Sequence, residues 1–305
     1  MTRPPGRRSS GHISPGHISR RHVVVDGHAT SYLEGGSGQT VVLLHGGEFG
    51  AGAELGFERI LGALAERFHV LAPDMLGFGE SAKVVDFNDG RGLRIRHIAA
   101  WCRVLGVESA HFVGNSMGAV MLLADLTSDR PVLPVRSLVA ICGGGAIQQG
   151  PHMQALYDFD ATMPAMRRIV TALFHDAAYP ADVDFVRRRY ESSTAPGAWE
   201  AVAAARFRRP NSAAQAAGAG SVGLVNDRPY ERIRVPTLVV EGECDKLLPP
   251  GWAKELADRV RVGSAAVIPQ AGHCPQIEQP AAVSRLLIEF FENQCARVRT
   301  TEQRK

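Results

Sequence analysis

No run of apolar residues in this chain is long enough to cross a bilayer, so a helical membrane protein is not expected. Charge of one sign is also lacking. The 34 Lys+Arg and 31 Asp+Glu leave a formal net charge of only +3. Part of that surplus sits at the ends, in Arg3, Arg7, Arg8, Arg20 and Arg21 and in Arg297, Arg299, Arg304 and Lys305. No basic face is interleaved with aromatics, so no nucleic-acid surface is expected. Cysteine is sparse: Cys102, Cys142, Cys244, Cys274 and Cys295 are odd in number and form no C-x-x-C pair or metal-ligand spacing. That argues against a disulfide framework and a bound metal, and for free thiols in a reducing, cytoplasmic setting. Residues 1–20 repeat Gly-His-Ile-Ser and are rich in Arg, Ser and Gly, without the apolar centre of a secretory signal. They read as a disordered leader.

What is present is the composition of one large core, 45% hydrophobic and 21% charged over 305 residues. His22–Val25 and Thr30–Leu33 flank Asp26-Gly27, a hairpin signal. Thr40–Leu44 is a continuous apolar run, as suits a strand buried on both faces of a parallel sheet. Helix is expected near Leu55–Arg67, strand at Phe68–Ala72, helix at Ile95–Leu105, strand from Ala110 and strand at Ser137–Ile141. This alternation predicts an α/β fold with a doubly wound, mostly parallel sheet. It stops over residues 146–230, where helical patches and an alanine-rich run, Ala201–Ala219 with Arg206, Arg208 and Arg209, replace it. It resumes with Thr237–Val240, a helix near Trp252–Val260, Ala265–Ile268 and a helix over Ala281–Phe291. The expected organisation is a leader (1–20), a first core part (21–145), an inserted helical cap (146–230), a second core part (231–295) and a tail (296–305). Such a cap would cover the strand ends, where open α/β sheets bind ligands.

Gly114-Asn115-Ser116-Met117-Gly118 lies between a strand and a helix, the arrangement of a nucleophile elbow. Gly114 and Gly118 leave room for a turn too tight for side chains, with Ser116 on its corner. A serine nucleophile needs a base, and the base an orienting acid, in the chain order Ser, acid, His. Asp245, in the loop after the resumed strand, is the expected acid, with Glu243 the fallback and Glu241 still inside the strand. His273, between the last strand and the last helix, is the expected base. Among the other histidines, His12 and His17 fall in the leader, His69 and His111 in or beside strands, and His97 in a helix. His45 ends a strand at the right sheet edge, but it precedes Gly46-Gly47 and reads as structural. The backbone N–H groups of Gly47 and Met117 are the expected oxyanion hole, because a glycine-lined loop can approach a substrate oxygen closely.

With these residues in place, the chain resembles the meta-cleavage-product hydrolases, serine-dependent carbon–carbon bond hydrolases of the α/β-hydrolase superfamily. The resemblance spans about Val23 to Phe291. It is carried by Leu44–Gly47 with Phe49-Gly50-Ala51, by Asp74-Met75-Leu76-Gly77-Phe78-Gly79-Glu80-Ser81, by Arg94–His97, by Val113–Gly118, by Arg189-Tyr190 and by Val235–Val240. It implies a 2-hydroxy-6-oxohexa-2,4-dienoate-type substrate from aromatic catabolism and no cofactor. It also implies that His273 assists the dienol-to-keto conversion, that Ser116 and its base drive attack at the ketone, and that water completes the cleavage. Arg189, Asn115, Gly46 and Cys274 are the substrate contacts it suggests. Helical spacing about Val183, Val186 and Tyr190 turns Arg188 away but leaves both Arg187 and Arg189 beside the stripe; the resemblance picks Arg189.

The sequence departs from the family pattern at four points. Cys274 follows the histidine where tryptophan is frequent, Ala119 replaces a glycine after the elbow, Glu48 stands where glycine is common, and Gly56 stands where an asparagine can contact substrate. The same triad would also serve a carboxylesterase or enol-lactonase. A ligand receptor built on a hydrolase scaffold is the third reading. A small-molecule partner is expected, without nucleic acid or membrane; a homo-oligomer is left open.

Overall fold

The computed structural model describes residues 17–204 and 228–302, with 295–302 as backbone alone. His12, most of the leader, the alanine-rich run beyond Ala204 with its three arginines, and the side chain of Cys295 lie outside the described residues. Eight strands form one sheet: β1 (Ile18–Val25), β2 (His28–Gly35), β3 (Thr40–Leu44), β4 (His69–Pro73), β5 (Ala110–Asn115), β6 (Val135–Ile141), β7 (Thr237–Gly242) and β8 (Gly263–Ile268). Their spatial order is β1-β2-β4-β3-β5-β6-β7-β8. The β1–β2 and β2–β4 pairs are antiparallel, and every other pair is parallel. β1 and β2 turn through Asp26 and Gly27, both at positive φ (49° and 80°), as a tight hairpin demands. β1 begins inside the stretch read as leader. Ser19 and Arg20 pair with β2, and Arg20 also reaches Asp74 and Glu54. A polar segment is thus held by ladder bonds and charges that a hydrophobicity reading does not register.

Val41 to Leu44 of β3 and Val113 of β5 are fully buried, so helices cover both sheet faces. α1 (Ala53–Ala65) buries Phe57, Ile60, Leu61 and Leu64, the i, i+3, i+4, i+7 stripe of an amphipathic helix. Each such side chain contributes roughly 1.5–3 kcal/mol on burial. α2 (Gly90–Val104) starts at Asp89, whose carboxylate accepts from Gly92 N–H as an N-cap. α3 (Met117–Leu126) follows β5 directly. After β6, the described residues form five helices without a strand: α4 (Pro151–Tyr157), α5 (Met163–Leu173), α6 (Ala178–Ala181), α7 (Val183–Thr194) and α8 (Ala198–Ala203). A short 3-10 turn at Tyr230–Arg232 leads into β7. α9 (Trp252–Arg259) joins β7 to β8, and α10 (Pro275–Glu278) and α11 (Pro280–Glu302) close the chain. α11 runs through most of the expected tail.

On α7 the buried line is Phe185, Val186, Arg189 and Ser193, while Val183 is 46% exposed. The stripe is rotated from the expected Val183–Val186–Tyr190 because Phe185, a larger apolar side chain, takes the inside position. This rotation places Arg189 inward, 2% exposed, while Arg187 pairs with Asp184 at the surface and Arg188 with Glu54 and Glu58 of α1.

Candidate active site

β5 ends at Asn115, and α3 begins at Met117, leaving Ser116 alone to turn the chain. Its φ of 51° and ψ of −113° are strained for a residue with a side chain. The surroundings hold it there. Ser116 N–H donates to Ile141 O at 2.8 Å. A Cβ on Gly114 would overlap the backbone of Gly118 and Ala119; one on Gly118 would overlap Leu44 O; one on Gly143 would overlap Ser116 O. Gly143, at the end of the neighbouring strand, is a third glycine this corner needs. Only contact across the sheet reveals it.

Ser116 Oγ lies 2.8 Å from His273 Nε2, and His273 Nδ1 lies 2.8 Å from Asp245 Oδ2. The Asp245 carboxylate, acceptor only, fixes the proton on Nδ1 and leaves Nε2 to accept from the hydroxyl. The other Asp245 oxygen accepts from Leu247 N–H at 2.8 Å. Burial pulls the His273 pKa down, but the charge and hydrogen bond of Asp245, with a contribution from Glu48, outweigh it and leave the pKa above the ordinary histidine value. The sulfur of Cys142, a buried residue, lies within 4.8 Å of the liganding atoms of Asp245 and His273. Burial, followed by the Asp245 charge, drives its thiol pKa well up, so it stays a neutral neighbour of the pair.

The alternatives for acid and base are occupied elsewhere. Glu241 lies within β7 and accepts from Gly251 and Ala253 N–H at the start of α9. Glu243 accepts from Gln270 N–H. His45 accepts from Met75 N–H through Nε2 at 3.0 Å and donates through Nδ1 to Gly46 O at 2.7 Å, so it ties β3 to the Asp74–Ser81 loop. Burial lowers its pKa. His69 meets Glu34, His111 meets Ser137 and Gln39, and His97 meets Thr30.

His273 is held from several sides. Its N–H donates to Leu173 O, at the end of α5, at 2.8 Å. Its carbonyl accepts from Asn115 Nδ2 at 3.1 Å. Glu278 accepts from Gly272 N–H with one oxygen and from His175 and Asp176 N–H with the other. Lys246 donates to Thr171 O and Phe174 O, drawing the loop after Asp245 to the same stretch. Sequence reading did not identify Glu278, Lys246 or Leu173, because nothing in their local pattern distinguishes them from surface charges or helix core.

Gly47 packs against Met117, since a Cβ there would lie 2.6 Å from Met117 Sδ and 2.9 Å from Met117 Cβ. Arg189 Nη2 donates to Leu55 O at 3.0 Å, while its Nη1 is buried without a partner. The guanidinium sits 3.9 Å from the centre of the Phe185 ring and 5.5 Å from that of Phe174. Burial lowers its pKa, against the pull of Cys274 and Glu48. Cys274 is buried. Its thiol pKa is pushed well up by burial and then by Glu48. Arg94, by contrast, donates to Leu76 O and Gly90 O beneath Phe78 and braces the Asp74–Ser81 loop.

Comparison with known proteins completes this picture. Residues 41–286 match the model of the alpha/beta hydrolase family. The chain is 31% identical to the 2-hydroxy-6-oxo-6-(2'-aminophenyl)hexa-2,4-dienoic acid hydrolase of Metapseudomonas resinovorans, covering 89% of this chain and 90% of that protein. It is 29% identical to the 2-hydroxymuconate semialdehyde hydrolase of Pseudomonas sp. (strain CF600), covering 89% and 93%. Among solved structures, the meta-cleavage product hydrolase of Pseudomonas fluorescens IP01 superposes with a TM-score of 0.78 at 25% identity, over 90% of this chain and 97% of that one.

Proposed function

The chain belongs to the alpha/beta hydrolase family and, within it, to the meta-cleavage-product hydrolases; from that premise we propose that it cleaves a carbon–carbon bond in a 2-hydroxy-6-oxohexa-2,4-dienoate-type ring-cleavage product. The observation that carries the reading is the pairing of a linked Ser116–His273–Asp245 relay with a buried guanidinium, Arg189, that keeps one nitrogen unpartnered. A desolvated guanidinium suits a substrate carboxylate. Helices α4–α8 act as the cap that brings it there.

In this reading His273 first assists ketonisation of the dienol. That step matters because C–C cleavage expels a carbanion, and the keto form lets it leave as a stabilised dienolate. Ser116, with His273 as base, then drives addition at the ketone. Gly47 and Met117 N–H receive the developing oxyanion, with Met117 at the start of α3 adding the helix dipole. Water releases the carboxylic acid, and the dienolate takes up a proton. Asp245 keeps the imidazole oriented and stabilises its cation. Asn115 contributes by fixing the His273 carbonyl, Gly46 by letting the loop approach, and Cys274 by leaving volume beside His273. No cofactor takes part. Cysteines 102, 142, 244 and 274 are free, which fits a cytoplasmic setting. No helix of the described residues is long and apolar enough to cross a membrane.

The test is a spectroscopic screen in which yellow dienols with different side groups are followed for bleaching beside neutral aryl esters. Bleaching with release of the matching carboxylic acid supports the reading. Arg189→Gln should then weaken dienoate turnover by on the order of 2–5 kcal/mol, if the ion pair is desolvated, and spare neutral esters by comparison. Equal loss on both substrate classes favours the esterase reading.

A further inference from the structure

Glu48 stands in the loop between β3 and α1, beside the relay. Its carboxylate folds back over Gly46, so that a Cβ on Gly46 would overlap Oε2 and would also lie 3.5 Å from Asn115 Oδ1. The side chain is only partly exposed. Among the described residues its carboxylate accepts no hydrogen bond and makes no ion pair, although its charge is felt at His273, Arg189 and Cys274. Two opposite charges therefore act on each other without forming an ion pair: Arg189 with an unpartnered Nη1, and Glu48 with a carboxylate that accepts no hydrogen bond. A carboxylate held over the glycine loop without a donor keeps its acceptor capacity open to a ligand, and a negative charge beside an oxyanion hole opposes catalysis unless something compensates it.

A 2-hydroxydienoic acid supplies that compensation. It carries an anion on one carbon and an O–H donor on the next. If the carboxylate seats on Arg189, the hydroxyl beside it needs an acceptor, and Glu48 is the unpaired one. We propose that Glu48 is the specificity residue that accepts the hydrogen bond of the substrate's 2-hydroxyl. It thereby selects hydroxy acids with a free enol O–H and repels acids that have no donor next to the carboxylate, an attractive and a repulsive element in one side chain. This inference rests on the C–C hydrolase reading above.

The experiment compares wild type with Glu48→Gln and Glu48→Gly, each checked for folding by circular dichroism. The probes are 2-hydroxy-6-oxo-6-phenylhexa-2,4-dienoate, its 2-O-methyl ether as a competitive inhibitor, and 4-nitrophenyl acetate. The ratio of dienol-acid to ester kcat/KM should fall about tenfold or more in both variants, in the range of a lost charge-assisted hydrogen bond. The methyl ether should inhibit wild type at least tenfold more weakly than the hydroxy acid binds, and that gap should shrink in Glu48→Gly. A faster dienol reaction in either variant would mean that Glu48 only repels, and an unchanged ratio would mean that it does not touch the hydroxyl; either overturns the proposal. Wild type inert toward the dienol acid but active on the ester would instead bring down the C–C hydrolase reading itself, a result visible before any variant is made.

Discussion

Ser116 is positioned first by the strand and helix it joins, with Ile141, Gly143 and Leu44 from neighbouring strands packed against the corner. Gly114 and Gly118 flank it, and the strand and helix it joins are contiguous with it. His273 is positioned by groups remote in the chain, Asn115, 158 positions away, and the carbonyl of Leu173, while its near neighbour Glu278 ties the loop to the distant His175 and Asp176. The serine end of the relay is a local backbone device, and the histidine end is a junction between the sheet and the inserted helices. The difference teaches where function can be altered. Changes in helices α4–α8 reach His273 directly, through the Leu173 carbonyl, without touching the corner that holds Ser116.

The largest expected effect comes from the local side. Ser116→Ala should reduce turnover on the order of a million-fold, as loss of a triad nucleophile can, while folding is kept. Steady-state rates and a thermal melt check it; near-native turnover would remove Ser116 from the chemistry. Next comes the orienting acid. Asp245→Asn should lower kcat by about ten-thousand-fold, the scale seen when a triad base loses its orienting carboxylate. It should also move the acid limb of the pH profile. His273 must be neutral to act as base, and its pKa is raised because Asp245 outweighs burial. Wild-type activity should therefore rise with pH through a midpoint above the ordinary histidine value, and loss of the carboxylate should shift that midpoint down. A limb that stays in place would show that it does not report His273.

Gly118→Ala probes the local device through stability. The added methyl meets Leu44 O and its carbonyl carbon at 2.8 Å, both backbone. The loss should be roughly 1–3 kcal/mol of unfolding free energy, as for overpacked sites, measured by denaturant titration. Glu278→Gln should be the mildest. It leaves the elbow untouched and weakens three backbone anchors of the His273 loop, so kcat should fall by about tenfold, equivalent to about 1.4 kcal/mol. If Glu278→Gln matched Asp245→Asn in cost, the junction would be part of the relay rather than its support.

These contrasts also show what could be read from residue order. The elbow, the strand–helix alternation and the interruption after β6 were legible because each is written in short-range pattern: glycine spacing, apolar runs and their absence. Asp245 and His273 could be nominated because each follows a strand in the required chain order. Arg189 could not be separated from Arg187 by periodicity. Phe185 decides it by taking the inner position on α7 and turning Arg189 in with it. β1 was partly hidden for the same reason. Ser19 and Arg20 look like leader until β2 and Asp74 are placed beside them.

By itself, then, the sequence determined the order of strands and helices, the strained serine corner and the identities of the groups able to form a relay, since backbone sterics and hydrophobic period act over a few residues. Tertiary structure alone decided that Ser116, His273 and Asp245 meet at 2.8 Å spacings, that Gly143 must lack a side chain, and that Glu48 and Arg189 act on each other through charge without forming an ion pair. Those outcomes depend on which chain segments pack together, and distances across a fold are set by that packing rather than by position along the chain.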